Sequence, residues 1–242
     1  MKTRTLFIDL ETAPNLGYTW GKWEQNVIEF KEYGYILCFA YKWLGDKTVR
    51  TSSVAKGTND KKVVDELWQV LQDADIVIAH NGQAFDVKKA NARFAFYKLP
   101  PPSAYHMIDT RTLARKYFKF ESNKLDELCK YLGIGGKMET GGFQLWLDCM
   151  AGNKQAWKKM LAYNKHDIVL LENIYNRLRP WMTNHPNVNV LSGKLEACPI
   201  CESTKLQRRG YGITRTGRKQ RFQCQACGGW SFSKVEKVLE IR

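Results

Sequence analysis

The chain has 242 residues, enough for one sizeable domain and a small second one. Hydrophobic residues make up 44% and charged residues 26%, fractions ordinary for a soluble globular protein. The formal net charge of +14 points to a polyanionic partner. No apolar run is long enough to span a bilayer. The basic start MKTRTLFIDL is interrupted by Asp9 and Glu11, with no small-residue cleavage site after it, so no signal peptide is read and a cytoplasmic location is expected.

In chain order, TLFIDL (5–10) reads as a buried strand that nevertheless carries Asp9 and runs on into Glu11. Residues two apart on a strand face the same side, so these two carboxylates stand together, which is costly unless that face is wet or holds a cation. YILCFAYKWL (35–44) and KTVRTSSV (47–54) read as strands around a turn at Gly45 and Asp46. Val63, Val64, Leu67, Val70 and Leu71 recur at helical spacing within residues 60–73. ADIVIAHN (74–81) is a short, almost wholly apolar strand of the kind found in a sheet covered on both faces. Asn81 and Gly82 make a turn into a helix over 84–97 that is stopped by LPPPS. YHMID (105–109) is a last short strand, and from Thr110 to about residue 181 the pattern is helical. This order predicts an α/β domain, a mixed β-sheet flanked by helices.

Two more carboxylates stand out. Asp86 follows the buried strand and lies just inside the next helix, where capping or the helix dipole would explain it taken alone. Tyr163 and Asp167 are four apart, on one helical face with Leu170, Leu171, Ile174 and Leu178. A carboxylate in line with an apolar face points inward and needs a partner. Taken with Asp9 and Glu11, these are hard oxygen donors suited to Mg²⁺ or Mn²⁺. A pair of such ions about 3.5–4 Å apart drives phosphoryl displacement. Asp109 caps the helix after it or stands in reserve as a metal ligand, and His166 is turned off the Asp167 face.

FIDLET, HNGQAFD and YNKHD, in this order, resemble the three motifs of the DEDD (DnaQ-like) 3′–5′ exonuclease superfamily. The Tyr163-x3-Asp167 spacing resembles the DEDDy branch, found in family B polymerase proofreading domains. SNKLDELCKYLGIGGK also resembles the helix after the second motif in polymerase-type exonuclease domains. The resemblance covers about residues 4–180 and sets an expected domain at 1–183. It implies an RNase H-like sheet, with Asp9, Glu11, Asp86 and Asp167 holding two Mg²⁺ or Mn²⁺ ions. It further implies that Tyr163 orients the attacking water and that Asn81 and Phe85 touch the terminal nucleotide. A tyrosine whose ordinary pKa is about 10 is a poor general base at neutral pH. The implied activity is 3′–5′ hydrolysis of DNA from single-stranded or frayed ends. The alternatives are RNA ends and a non-catalytic nucleic-acid-binding factor, and the presence of all four carboxylates argues against the second.

Of the seven cysteines, Cys38, Cys129 and Cys149 are scattered among apolar neighbours and read as small buried residues. The other four form CPIC (Cys198, Cys201) and CQAC (Cys224, Cys227), two C-x2-C pairs separated by 22 residues. A redox pair or disulfides are the alternatives to a structural Zn²⁺, and the arrangement resembles a zinc ribbon. NHPNVNVLSGKL (184–195) reads as a polar linker, placing the ribbon at 194–242, where 11 Lys/Arg face 4 Asp/Glu. Arg208, Arg209, Tyr211, Arg215 and Arg218 are expected on an exposed hairpin, the cations following phosphates and the ring stacking on bases. Phe222 and Trp230 are expected in the ribbon core.

Overall fold

The computed structural model describes residues 2–23, 26–54 and 57–237. Strand β1 (Thr5–Thr12) is followed by a small hairpin, β2 (Leu16–Tyr18) and β3 (Glu29–Glu32), and then by β4 (Ile36–Trp43) and β5 (Arg50–Ser53). Helix α1 (Lys61–Gln72) leads to β6 (Ile76–Ala79), and α2 (Asp86–Phe96) leads to β7 (His106–Asp109). Four helices follow: α3 (Thr110–Tyr117), α4 (Leu125–Tyr131), α5 (Gln144–Met150) and the long α6 (Lys154–Leu178). The five main strands form one sheet in the order β5-β4-β1-β6-β7. β1 is antiparallel to β4 and parallel to β6, and β7 is parallel to β6, so the sheet is mixed as expected.

Alternation along the central strands decides which face meets which helices. Leu6, Ile8 and Leu10 pack with Val63, Val64 and Leu67 of α1 and with Ala90 and Phe94 of α2. Phe7 faces the other way, into a cluster with Ile168, Leu171 and Ile174 of α6. The same period splits β6, with Val77 and Ala79 on the first face and Ile76 and Ile78 on the second. Asp9 and Glu11 share the parity of Phe7 and therefore lie under α6. Their partners across β4 are Ala40 and Cys38, small side chains that leave room there. Helix α6 is anchored at its start by Asn153, whose side chain accepts hydrogen bonds from the backbone of Gln155 and Ala156. The β2–β3 hairpin was not anticipated, and most of its side chains are exposed.

Beyond α6, a short helix α7 (Asn189–Ser192) precedes the ribbon strands β8 (Leu206–Thr214), β9 (Gly217–Cys224), β10 (Trp230–Phe232) and β11 (Glu236–Lys237). β9 is the centre of that sheet, pairing with the other three. The segment expected as a linker is packed down. Thr3 Oγ1 donates to the Val188 carbonyl at 2.8 Å. Asn189 Nδ2 donates to the Ala197 carbonyl at 2.8 Å, and the Val188 amide to Pro199 O at 2.9 Å. The Tyr175 hydroxyl lies 2.8 Å from His185 Nε2. Among the described residues, no helix is long and apolar enough to cross a membrane.

Candidate active site

Asp9 and Glu11 from β1 meet Asp167 from α6, and one carboxylate oxygen of each lies within 4.8 Å of the others. Asp9 is held in place by Asn164, one helical turn before Ile168. Asn164 Nδ2 donates to Asp9 Oδ2 at 2.7 Å and to the Asp9 carbonyl at 3.3 Å. The Cys38 thiol, 3.8 Å from Asn164 Oδ1, fixes that amide in turn. Asp86 is buried at the first position of α2, but it does not cap its own helix. Its Oδ1 accepts a hydrogen bond from the Leu10 amide at 3.0 Å, which ties α2 to β1 between the two motif carboxylates. Asp86 thus stands beside the three-carboxylate group rather than within it.

Crowding shows in the protonation of the site. Burial, reinforced by the charges of Asp86, Glu11 and Asp167, pushes the Asp9 carboxyl well above the usual carboxylate range. Burial and the Asp167 charge push Glu11 up to about 7. Burial raises Asp86 to about 6 against the opposing Leu10 hydrogen bond, and it raises Asp167 despite a cation alongside. That cation is Lys137, whose Nζ donates to Asp167 Oδ2 at 2.5 Å and to the Tyr163 hydroxyl at 2.8 Å. Burial alone would lower the Lys137 ammonium, but Asp167 and Tyr163 together hold it above its ordinary value, so it stays charged. Burial and the Asp167 carboxylate push the Tyr163 phenol up, so it keeps its proton at neutral pH. One ammonium does not neutralise four carboxylates. Asp167 Oδ1 is also buried without any hydrogen-bond partner. An orphaned hard oxygen beside two more carboxylates fits a divalent cation of the Mg²⁺ or Mn²⁺ type.

Asp109 is not a reserve ligand. Its carboxylate accepts from the Arg111 and Thr112 amides as the cap of α3, and also from the Asn81 and Gln83 amides at 3.0 and 3.2 Å. Its lone pairs are committed to backbone donors. That brace holds the turn after β6, where Asn81 adopts a left-handed φ of +66° and its Oδ1 accepts from Arg111 Nη1 at 2.7 Å. Gly82 is required there, because a Cβ would fall 2.4 Å from the Ala79 Cβ. Phe85 is 40% exposed and lines a cavity of about 530 Å³ with Thr12, Asn15, Lys89, Phe143 and Trp146. His166 Nε2 donates to the Gly136 carbonyl at 2.8 Å. Sequence reasoning missed Lys137 and Asn164. For Lys137 the available signal was a lysine closing the glycine run of LGIGGK, since glycine-rich loops approach anions closely. Asn164 carried no signal beyond its place beside Tyr163.

Beyond the end of α6 the four paired cysteines converge, with Sγ198–Sγ227 and Sγ201–Sγ224 both at 3.7 Å. All are free thiols, and 3.7 Å is far longer than a disulfide bond of about 2.05 Å. Four sulfurs each about 2.3 Å from a tetrahedral Zn²⁺ would lie about 3.8 Å apart. The cluster is therefore compatible with a zinc ribbon. Gly229 allows the tight knuckle, because a Cβ there would lie 2.5 Å from Ile200 Cδ1. Arg208, Arg209, Tyr211 and Arg215 are exposed on the β8–β9 hairpin. Arg218 sits over the Tyr211 ring at 4.2 Å and pairs with Glu236 at 3.1 Å, so these two are partly engaged with each other. Trp230 is not in the ribbon core. It is 44% exposed, on the edge strand β10.

A mixed five-stranded sheet with carboxylates gathered under one long helix defines an RNase H-like protein. Residues 6–179 match the RNase H superfamily, and the chain belongs to it. Among solved structures the chain is similar to the family B DNA polymerase of the hyperthermophilic archaeon Pyrobaculum calidifontis. The TM-score is 0.57 and the identity 14%, over 74% of this chain and 25% of the polymerase. At that identity the likeness is one of fold, and this chain spans about a quarter of the polymerase's length. No curated protein matches the sequence.

Proposed function

We propose that the protein is a metal-dependent 3′–5′ exonuclease of the DEDDy type, hydrolysing terminal phosphodiesters of DNA at single-stranded or frayed ends. The observation that carries this reading is the convergence of Asp9, Glu11 and Asp167 within 4.8 Å, with Tyr163 one helical turn from Asp167 on the same face. Superfamily membership supports nuclease chemistry, and the polymerase-like fold supports nucleic acid as the substrate. Asp9, Glu11 and Asp167, with Asp86 beside them, would hold two Mg²⁺ or Mn²⁺ ions. Such ions, when bound, supply the charge that activates water and stabilises the leaving 3′ oxygen.

The chain's own groups do the rest. Asn164 fixes the Asp9 rotamer, so the carboxylate is preorganised rather than recruited. Tyr163, protonated, orients the attacking water by a hydrogen bond and does not act as a base. Lys137 steadies the Tyr163 hydroxyl and brings positive charge to a phosphate that must approach four carboxylates. Asn81, braced by Asp109 and Arg111, and Phe85, with its exposed ring, receive the terminal nucleotide, which must be unpaired to lie between them. The ribbon carries one structural Zn²⁺ on Cys198, Cys201, Cys224 and Cys227, and it holds the strand through Arg208, Arg209, Arg215 and Arg218. Incubating 5′-labelled DNA and RNA, single and double stranded, with Mg²⁺ or EDTA tests the reading. A ladder of products shortened one nucleotide at a time from the 3′ end of single-stranded DNA, abolished by EDTA, is expected. Internal cuts, 5′ shortening or preferential RNA cleavage would overturn it.

A further inference from the structure

A groove of about 850 Å³ opens where the ribbon meets the body of the protein. Pro180, Trp181 and His185 line it on the body side, and Lys219, Trp230 and Phe232 on the ribbon side. Trp181, Trp230 and Phe232 are 51%, 44% and 57% exposed, so three aromatic rings from two parts of the molecule face one solvent-filled space. Isolated exposed rings are unremarkable, but aromatic rings gathered around a groove beside a cation are the composition of a base-stacking platform. The Val188 amide bond to Pro199 O and the Asn189 side-chain bond to Ala197 O fold the segment that joins the two walls back on itself.

The groove lies beyond the end of the helix that carries Asp167. Helix α6 carries Asp167 near its middle, and the groove begins at Pro180, just past its end. At 1.5 Å per residue the separation is about 20 Å. A smaller cavity of about 190 Å³ lies between the turn after β6 and the groove, along the outer edge of β7. It is lined by Gln83 and Asp109 at the turn after β6, by Lys116 and Tyr117, and then by Met182, which lines both cavities. On the ribbon wall Lys219 is the charged lining residue, with no carboxylate beside it in the lining, so that wall complements a phosphate.

We infer that this groove is a second nucleic-acid subsite that stacks an unpaired base of the substrate strand on Trp181, Trp230 and Phe232, with Lys219 at a neighbouring phosphate. The inference rests on the exonuclease reading for its strand polarity. A single strand advances about 3.4 Å per nucleotide when stacked, so about 20 Å corresponds to about six nucleotides, and to about three if the strand is stretched. The groove therefore reads a base about three to six nucleotides upstream of the 3′ end. It measures the length of unpaired strand that the protein can grip.

The test is equilibrium binding by fluorescence anisotropy. It uses zinc-loaded full-length protein without Mg²⁺ and 5′-labelled single-stranded DNA 12-mers, each with one abasic position. Affinity should fall at the 3′-terminal positions and again, by about tenfold, at one position between the third and the sixth. Trp230→Ala with Phe232→Ala should abolish the second fall and leave the first. Trp181→Ala, on the body wall, should do the same without touching the ribbon, and retained zinc content shows that the ribbon is intact. A profile with no second sensitive position, or one that persists in both variants, overturns the inference. No step depends on hydrolysis, so a failed exonuclease assay and a failed subsite give different results.

Discussion

The protein gathers anionic donors in two places, and the two differ in a way that separates chemistry from construction. In the ribbon, four thiols of one kind sit 3.7 Å apart in their nearest pairs, spaced as four sulfurs around one small ion, with no donor left over. In the cleft, three carboxylates crowd within 4.8 Å, a fourth stands beside them, and Asp167 Oδ1 has no partner at all. The thiols would saturate a tetrahedral ion and leave no coordination position for substrate. Carboxylates around larger coordination spheres leave positions for water and phosphate. The supports differ too. The thiols ride on tight turns of a small sheet, whereas the carboxylates are fixed to a central strand and a 25-residue helix, held by Asn164 and by the Leu10 amide.

The contrast is broken most directly at the carboxylates. Asp9→Ala or Asp167→Ala should slow single-turnover hydrolysis by about a thousandfold or more. In Asp9→Ala, relief of like-charge crowding should leave metal-free thermal stability unchanged or higher. Wild-type rates in either variant would remove the cleft from the chemistry. Tyr163→Phe should lose about tenfold to a thousandfold in rate with Mn²⁺ affinity unchanged, and an unaltered rate would return Tyr163 to the core. Lys137→Met should slow hydrolysis by about tenfold and tighten Mn²⁺ binding, because Asp167 is released from its ion pair. Unchanged Mn²⁺ affinity would show that Lys137 does not compete for the site.

At the other cluster the effect should be on binding. Cys224→Ser should release zinc, weaken oligonucleotide binding by about tenfold and flatten its salt dependence, yet still permit cleavage of short strands at saturating concentration. Lost cleavage at saturation would erase the division between the two regions. The smallest effect is on pH dependence. Burial and neighbouring charge hold Glu11 at about 7 and Asp86 at about 6 in the fold, above their unfolded values. Such groups stabilise the folded state fully below about pH 4, and that stability is lost as pH rises through 6 and 7. Metal-free melting temperature should therefore decline by several degrees over that window, and Mg²⁺ should remove the decline. A flat metal-free profile would mean that the carboxylates are not crowded in solution.

Much of this was legible in the residues. The parity of Asp9 and Glu11 on an otherwise apolar strand, the four-residue step from Tyr163 to Asp167, and the paired C-x2-C spacing each follow from a local period that one sequence displays. What was not legible depends on contacts between distant segments. Asn164 matters because it meets Asp9, 155 residues earlier, and Lys137 because a glycine-rich loop without periodicity brings it to Asp167. Asp109 was readable as a cap, but its brace on the turn at Asn81 is a cross-strand event. Leu16–Glu32 escaped because its hairpin buries little and shows no alternation. Trp230 is exposed: nearness to a cysteine pair does not decide which face of a small sheet a ring takes.

A titration with Mn²⁺, followed by electron paramagnetic resonance, of the zinc-loaded wild type, zinc-loaded Asp9→Ala and zinc-free Cys224→Ser tests the distinction between the open and the closed cluster most directly. The account predicts two Mn²⁺ bound per wild-type chain, binding lost in Asp9→Ala and retained in Cys224→Ser. No Mn²⁺ binding by the wild type, or binding that survives Asp9→Ala and disappears with Cys224→Ser, would contradict it.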